Sequence, residues 1–407
     1  MDEHSLNKLY YIDKQKYEQE YDARFNSGDA IHLDIKISGN DAFLCQTTQM
    51  LKSIVSIERT DKEINRLCDL LPPQAIYQFS NRCLIDEIVL TNNIEGVHST
   101  RKEIKDILND LSKKNRRHRF YGLVNKYRVL MNSNTEPIPM DTCQDIRKIY
   151  DDLFLEEIKA TDAGNVPDGL IFRKSSVSVY DEMGKEIHKG LNPESNIIDT
   201  MQKSLTLLKR DDVDILIRIS LLHYLFGYIH PFYDGNGRTS RFISSYLLSR
   251  ELNSLISFRI SYTIKENIQK YYKAFKICNH PNNKGDLTPF VEMFLNVVDI
   301  SQSQLCSALS KRVDLLRRYR GILENMPTIR DITTFELYYV LVQAALFSDL
   351  GICLKELEEH LEMSYNTLQK HLKKIPENLL IKTKQNKLVY YRLNLEELSN
   401  YTANQSE

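Results

Sequence analysis

The stretch His230–Arg241, HPFYDGNGRTSR, brings together side chains that suit chemistry on phosphate. His230 follows an apolar run, Ile215 to Ile229 (ILIRISLLHYLFGYI), that reads as a buried helix of about fifteen residues. Pro231 lacks a backbone donor and disfavours helical geometry in the residue before it, so the helix is expected to end at His230. An imidazole there can accept a proton near neutral pH. Asp234 offers a hard carboxylate oxygen of the kind that Mg²⁺ combines with substrate phosphates. Gly235, Asn236 and Gly237 read as a tight loop whose glycines permit positive φ and close backbone approach. Helical periodicity returns from Arg238 (RTSRFISSYLLSREL), with Phe242, Ile243, Tyr246 and Leu247 on one face. A glycine-rich loop opening onto a helix N-terminus collects free N–H groups and the positive end of the dipole, which together bind phosphate. Arg238 and Arg241 share a helical face and point at the same anion. Base, metal ligand, phosphate nest and two guanidinium groups describe a phosphoryl or nucleotidyl transfer site. The alternative is a metal-free structural turn between two core helices.

The stretch resembles the signature of the Fic family, His-x-Phe-x-(Asp/Glu)-Gly-Asn-Gly-Arg-x-x-Arg, and matches it at every fixed position. The resemblance implies transfer of AMP from ATP onto a Tyr, Thr or Ser hydroxyl of a target protein. It implies that His230 takes the hydroxyl proton and that Asp234 holds Mg²⁺ on the α- and β-phosphates. Asn236 and the backbone of Gly235 and Gly237 would cradle the phosphates, and Arg238 and Arg241 would neutralise the distal ones. Phe232 belongs to the core beneath the loop.

Upstream, Thr91-Asn92-Asn93-Ile94-Glu95-Gly96 closes a helix expected from about Pro73. Thr91 and Glu95 share a face there, and Gly96 is a C-terminal stop. Taken alone, the pattern fits a solvated glutamate at a frayed end. It is also similar to the inhibitory motif of the Fic family, (Ser/Thr)-x-x-x-Glu-(Gly/Asn). A carboxylate that reaches Arg241 would form a charge-assisted pair where a phosphate should bind. The resemblance therefore implies an enzyme silenced by Glu95, and a second activity in which Glu95 orients a water to remove AMP. A dimer that gates the Glu95 helix is an expectation from the resemblance alone.

The remaining expectations concern the elements that position these groups. At 407 residues with a net charge of −1, the chain is long enough for two or three domains, and its charge balance gives no whole-chain argument for nucleic acid or membrane. Its seven scattered cysteines, without a Cys-x-x-Cys pair, read as reduced core residues of a cytoplasmic protein. No apolar run reaches membrane-spanning length, and the charged N-terminus is unlike a signal peptide. The expected fold is mainly α: a Fic-type helical bundle with a small β-hairpin flap, followed by a C-terminal winged-helix (α+β) domain. Boundaries are placed at 1–79 for a mostly helical region, 80–300 for the Fic-like domain with its inhibitory helix, 301–348 for a helical connector and 349–407 for the winged helix–turn–helix-like domain.

Within these, Ile31–Ile37 reads as a short strand, and a helical pattern from about Asp41 places Leu51, Ile54, Ile57 and Ile64 on a buried face. Thr100 and Glu103 form a capping box that starts a helix. Lys113–Arg119 (KKNRRHR) is the most basic stretch, a partner patch or a solvated helix end. Helices are expected at Phe120–Met131 and Asp141–Glu157. Leu170–Val179 and Lys185–His188 read as a hairpin with its turn at Met183-Gly184. By resemblance this hairpin, within 170–190, is the flap on which a target protein docks by main-chain pairing. Ile260–Lys276 is a helix or helix pair, where Asn267, Tyr271 and Tyr272 match positions that contact adenosine in the family; Tyr271 and Tyr272 fit core packing equally well. Thr288 and Pro289 open the last bundle helix as cap and first residue.

At the C-terminus, Leu354–Leu361 and Tyr365–Ile375 have helix–turn–helix spacing with Leu357, Leu361, Leu368 and Leu372 as shared core. Leu380–Leu393 alternates about Gln385-Asn386 like a wing. Ser364, Asn366, Thr367, Gln369, Lys370, Lys373, Lys384 and Lys387 suit phosphate and base-edge contacts, although Cys353 to Leu393 holds only eight Lys/Arg against five Asp/Glu. DNA is therefore one candidate partner, and protein contact or dimerisation another. The rival to a self-regulated enzyme is a transcriptional regulator in which the nucleotide is sensed and the C-terminal domain acts.

Overall fold

The computed structural model describes residues 6–111, 118–131, 136–180, 186–385 and 388–403. The chain is mainly helical and divides into two compact units, Met1–Asp61 with Leu84–Ser303, and Lys62–Cys83 with Gln304–Glu407. In chain order the elements begin with α1 (Leu6–Ile12), α2 (Lys14–Phe25), β1 (Ala30–Ile37), β2 (Asn40–Cys45), α3 (Thr48–Asp69) and α4 (Pro73–Ile94). There follow α5 (Arg101–Asp110), α6 (Tyr121–Val129), α7 (Cys143–Thr161), β3 (Ser178–Tyr180), β4 (Glu186–Lys189) and α8 (Glu194–Leu207). Next come α9 (Ile215–Ile229), α10 (Asn236–Glu251), α11 (Ile260–Glu266), α12 (Ile268–Asn279) and α13 (Thr288–Glu324). The chain closes with α14 (Ile332–Phe347), β5 (Ile352–Cys353), α15 (Leu354–Leu361), α16 (Tyr365–Lys374), β6 (Leu380–Gln385), β7 (Leu388–Leu393) and α17 (Leu395–Ala403).

In the first unit α9 is buried along nearly its whole length, as a helix without a polar face must be. Asp214 caps it by accepting from the Leu216 amide at 2.8 Å. It packs against α8 and α10, and α10 buries Phe242, Ile243 and Tyr246 beside it. The break between α9 and α10 is the loop from His230 to Gly235, so the candidate chemistry sits where two core helices meet.

In the N-terminal hairpin β1–β2, strand β1 alternates strictly, with Ile31, Leu33, Ile35 and Ile37 facing inward. Asn40–Cys45 is therefore a strand and not the start of a helix. Pairing with β1 outweighs the weak helical pattern there, and β2 adds a further partner: Phe43 N–H donates to Gly285 at 3.0 Å and its carbonyl accepts from Leu287 at 2.8 Å. In α3 the buried stripe runs through Met50, Ile57, Ile64 and Leu67, which leaves Leu51 one step off it and 55% exposed. The Thr288 hydroxyl accepts from the Cys45 amide, so Thr288 does not cap α13; the Asp286 carboxylate does, accepting from the Thr288 amide at 2.9 Å. Thr100 caps α5 by accepting from the Glu103 amide at 3.2 Å.

The expected flap strand over Leu170–Val179 is much shorter. Strand pairing covers only Ser178–Tyr180 against Glu186–Lys189. The amides of Leu170, Ile171 and Phe172 instead all donate to the Glu194 carboxylate, at 3.0, 2.8 and 2.9 Å, which ties this backbone to a side chain and not to a neighbouring strand. The turn expected at Met183-Gly184 lies outside the described residues, as does most of Lys113–Arg119.

The second unit holds α14 and an antiparallel sheet of order β5-β7-β6 behind the pair α15–α16. Leu357, Leu368 and Leu372 are buried, whereas Leu361 is only half-buried. Glu362 takes a left-handed conformation (φ 53°) between the two helices, and Ser364 caps α16. Ser364, Asn366, Thr367, Lys370, Lys373 and Lys384 are exposed or nearly so and Gln369 is half-buried; Lys387 lies outside the described residues. The closing helix α17 was not anticipated. Among the described residues no helix is long and apolar enough to cross a membrane.

Gly285 adopts φ +79°, and a Cβ there would stand 2.5 Å from the Asp41 carbonyl oxygen. Gly285→Ala is therefore expected to open the β2–α13 junction at a cost of about 1–2 kcal/mol. Amide exchange at Phe43 and Leu287 should quicken by roughly tenfold; unchanged protection there would contradict this.

Candidate active site

The site is built from the C-terminus of α9, the loop that follows, the first turns of α10 and the end of α4. His230 closes α9 in the left-handed region (φ 52°, ψ 63°). That conformation is uncommon outside glycine, and it turns the chain abruptly into Pro231. Burial, with His188 nearby, pushes the imidazole down to about 4, against the pull of Glu95, and Arg173 adds to the depression. At neutral pH the ring is thus neutral, with one nitrogen open to accept a proton, which is the state a base requires.

The loop rests on aromatics. Phe232 is fully buried and stacks on Tyr150 with ring centroids 3.6 Å apart and 9° between planes. Tyr150 also donates to the Asp234 carbonyl at 3.1 Å. Asn236 differs from its expected role: its side chain accepts from the Phe232 amide at 2.9 Å and donates to the Phe232 carbonyl at 2.8 Å. Both ends of that amide thereby help to close the loop, which leaves one Nδ2 hydrogen and the Asn236 backbone for an anion. Gly235 caps α10 in the left-handed region (φ 78°) and has no side-chain acceptor to satisfy the first-turn amides, so those of Asn236, Gly237 and Arg238 open toward the loop. The Asp234 carboxylate is half-exposed; one oxygen accepts from the Gly235 amide at 2.5 Å and the other lies 3.8 Å from Arg238.

The two arginines have different surroundings. Arg238 is fully buried, pairs with Glu157 at 2.7 Å and lies 4.4 Å from the Phe154 ring centre. Its expected place on distal phosphates is thus partly taken by Glu157, while its Nε and Nη2 have no hydrogen-bond partner. Arg241, 1% exposed, is held by α4: its Nε donates to the Thr91 hydroxyl at 2.8 Å, and Nη2 donates to the Thr91 carbonyl at 3.0 Å and to Glu95 at 2.8 Å. Burial lowers its pKa, and the charge and hydrogen bond of Glu95, with Tyr271 and Tyr127 nearby, together more than offset that. A Cβ on Gly237 would collide with Glu95 Oε1, so the glycine admits the carboxylate against the first turn of α10. Glu95 therefore reaches Arg241, as its spacing from Thr91 anticipates.

Asn267 marks the joint between α11 and α12, its side chain donating to the Thr263 carbonyl at 3.1 Å. Tyr271 is buried and its hydroxyl bonds His223 at 2.8 Å, which places it in the core; Tyr272 is 43% exposed. Three groups escaped the sequence reading. Arg173 donates to the His230 carbonyl, and His188 bonds the Tyr228 carbonyl at 2.7 Å. Glu87 lies fully buried on α4, two turns before Glu95 on the same face, accepting from the Ser261 amide at 3.0 Å. Only the spacing 87–91–95 could have pointed to it.

Residues 141–248 match the model of the Fic/DOC family. The chain carries a Fic/DOC domain. The proteins described as "Protein adenylyltransferase Fic" of Drosophila virilis and Drosophila melanogaster are 36% identical to it over 80 residues, or 20% of this chain. The match spans only 15% and 14% of their lengths. A Fic family protein from Desulfovibrio desulfuricans G20 shares the fold with a TM-score of 0.52 at 17% identity, covering 86% of this chain and 97% of that one.

The donor set of the Fic domain loop suits Mg²⁺: a single half-exposed carboxylate beside a phosphate nest leaves coordination positions for phosphate oxygens and water. Among the described residues no cluster of three His, Cys, Asp or Glu side chains offers a dedicated metal cage.

Burial raises the Glu87 carboxyl to about 7, against the opposing pull of Ser261 and Arg241. The folded state therefore keeps a proton that the unfolded chain loses near 4.5. Stability from this group is complete below that pH and is lost as pH rises through about 7. Glu87→Gln, which does not titrate, should gain on the wild type in urea between pH 5 and pH 8. A gap that stays constant with pH would contradict the assignment.

Proposed function

We propose that this chain is a protein adenylyltransferase that transfers AMP from ATP to a Tyr, Thr or Ser hydroxyl of a target protein and is held in check by Glu95. The observation that carries the proposal is the Glu95 carboxylate seated on Arg241 and against Gly237 at the N-terminus of α10. An anion is already held where helix dipole, open amides and guanidinium converge, so the place suits a phosphate. The unpartnered Nε and Nη2 of buried Arg238 supply further donors beside it.

In this mechanism His230 takes the proton from the target hydroxyl. The hydroxyl oxygen bonds the α-phosphorus as the bond to the β-phosphate bridge breaks, and pyrophosphate leaves. Open amides at the start of α10 hold the phosphates, and Arg241 takes the γ-phosphate once Glu95 withdraws. Asp234 would hold Mg²⁺, which would supply neutralisation of phosphate charge when bound. Asn267 and the exposed ring of Tyr272 flank the adenosine. The target lies along the β3–β4 flap by main-chain pairing. Positioning and electrostatics carry the rate, which is consistent with so compact a loop.

Glu95 is 32% exposed on its side chain, so its pair with Arg241 is partly screened. Releasing about 1.4–2.7 kcal/mol of barrier would raise the rate roughly 10- to 100-fold. With α-labelled ATP and Mg²⁺, Glu95→Gly should label itself or a lysate protein that much faster than wild type, and Glu95→Gly/His230→Ala should not label. Equal labelling with and without Glu95 would discard the brake, and no label in Glu95→Gly would discard the transferase.

A further inference from the structure

Arg173 poses a physical problem that its neighbourhood answers. Its guanidinium is fully buried, and burial pulls its pKa down with no carboxylate among the described residues to offset it. An unpaired buried charge costs several kcal/mol unless other groups replace its water. Here three carbonyls do so: Nε donates to His230 at 2.9 Å, Nη1 to Ser175 at 2.6 Å and Nη2 to Leu191 at 2.8 Å.

These bonds belong to a larger pattern at the end of α9. Four successive carbonyls there receive a donor from the flap or the segments flanking it. Tyr228 receives the His188 ring at 2.7 Å, Ile229 the Leu191 amide at 3.1 Å, His230 the Arg173 side chain, and Pro231 the Arg173 amide at 3.2 Å. A helix C-terminus carries orphan carbonyls and the negative end of the dipole, so a cation is favoured there. That accounts for a guanidinium held by carbonyls alone among the described residues. The packing leaves no slack: a Cβ on Gly190 would lie 2.5 Å from Arg173 Nη2 and 2.9 Å from His230 Cβ.

We propose that Arg173 is a positioning residue for His230, fixing the two peptides that follow the base so that it keeps its left-handed conformation, and tying it to the flap that presents the target hydroxyl. The proposal rests on the transferase reading for its kinetic arm. Its other arm does not. Arg173 is one of the charged groups facing His230, with His188 from β4 and Glu95 beyond α4, and its charge opposes protonation of the imidazole.

The test uses the full chain carrying Arg173→Met or Arg173→Lys, with cooperative melting as the check on folding. His230 is titrated by NMR of its imidazole, assigned with His230→Gln, and AMP transfer is measured in the Glu95→Gly background. In Arg173→Met the titration of His230 should rise measurably but stay below the ordinary value of about 6.5, because burial, not Arg173, is the main cause of its depression. Its kcat should fall at least about 30-fold, with the KM for ATP within roughly twofold. Arg173→Lys keeps the charge and loses the fork, so its His230 titration should stay low while kcat recovers only in part. Should Arg173→Met fail to melt cooperatively, Arg173→Lys is read alone, and a kcat equal to that of its parent overturns the proposal. In a folded Arg173→Met, an unchanged titration or an unchanged kcat overturns it. Should Glu95→Gly itself show no transfer, that counts against the proposed function, and the titration decides the role of Arg173.

Discussion

A guanidinium that is 1% exposed must find its hydrogen-bond partners inside the protein, and for Arg241 those partners are on α4 and the turn that ends it. Thr91 supplies a hydroxyl and a carbonyl, both neutral, and Glu95 supplies the charge. The neutral contacts hold the arginine whether or not Glu95 is present; the charged one is the contact an incoming anion can replace. This division lets one residue belong both to the frame and to the site. It also explains why α10 begins with glycines: a side chain at position 237 would exclude the carboxylate and would equally exclude a phosphate. Arg238, one turn earlier, is pinned by Glu157 and sets the first turn of α10 in place.

The second constraint is the end of α9. A helix buried along its length brings orphan carbonyls into the interior, and water cannot serve them there. The flap and its flanks serve them instead, through His188, Leu191 and Arg173. The base and the segment proposed to present its substrate are therefore joined by backbone hydrogen bonds. The same burial that requires these bonds also keeps His230 unprotonated.

Much of the local site was legible because it is local. Pro231 ends α9, the glycines open α10, and the four-residue spacing of Thr91 and Glu95 brings both to Arg241. What escaped has partners far along the chain. Glu157 and Arg238 are 81 residues apart, Arg173 and His230 57, and His188 and Tyr228 40. Periodicity carries no information about such pairs. Asn236 was only half legible for a different reason: a side-chain amide suits a phosphate and a loop closure equally, and only the fold shows that both of its ends engage Phe232. Leu170–Val179 has strand-like composition, yet its first amides bond to Glu194, a residue that composition does not connect to it. In α3 a one-residue error of phase put Leu51 on the wrong face. Asn40–Cys45 is a strand because of β1 and Gly285, its partners in space.

The central claim is that Glu95 stands in the place of the terminal phosphate of ATP on Arg241. Calorimetric binding of Mg-ATP and Mg-ADP to the wild type and to Glu95→Gly tests it most directly, because the two nucleotides differ only in that phosphate. The account predicts that wild type binds ATP no more tightly than ADP, and that Glu95→Gly prefers ATP by about tenfold or more, a gain of roughly 1.4 kcal/mol from one charge-assisted contact. An ATP-to-ADP preference that is the same with and without Glu95 would contradict it.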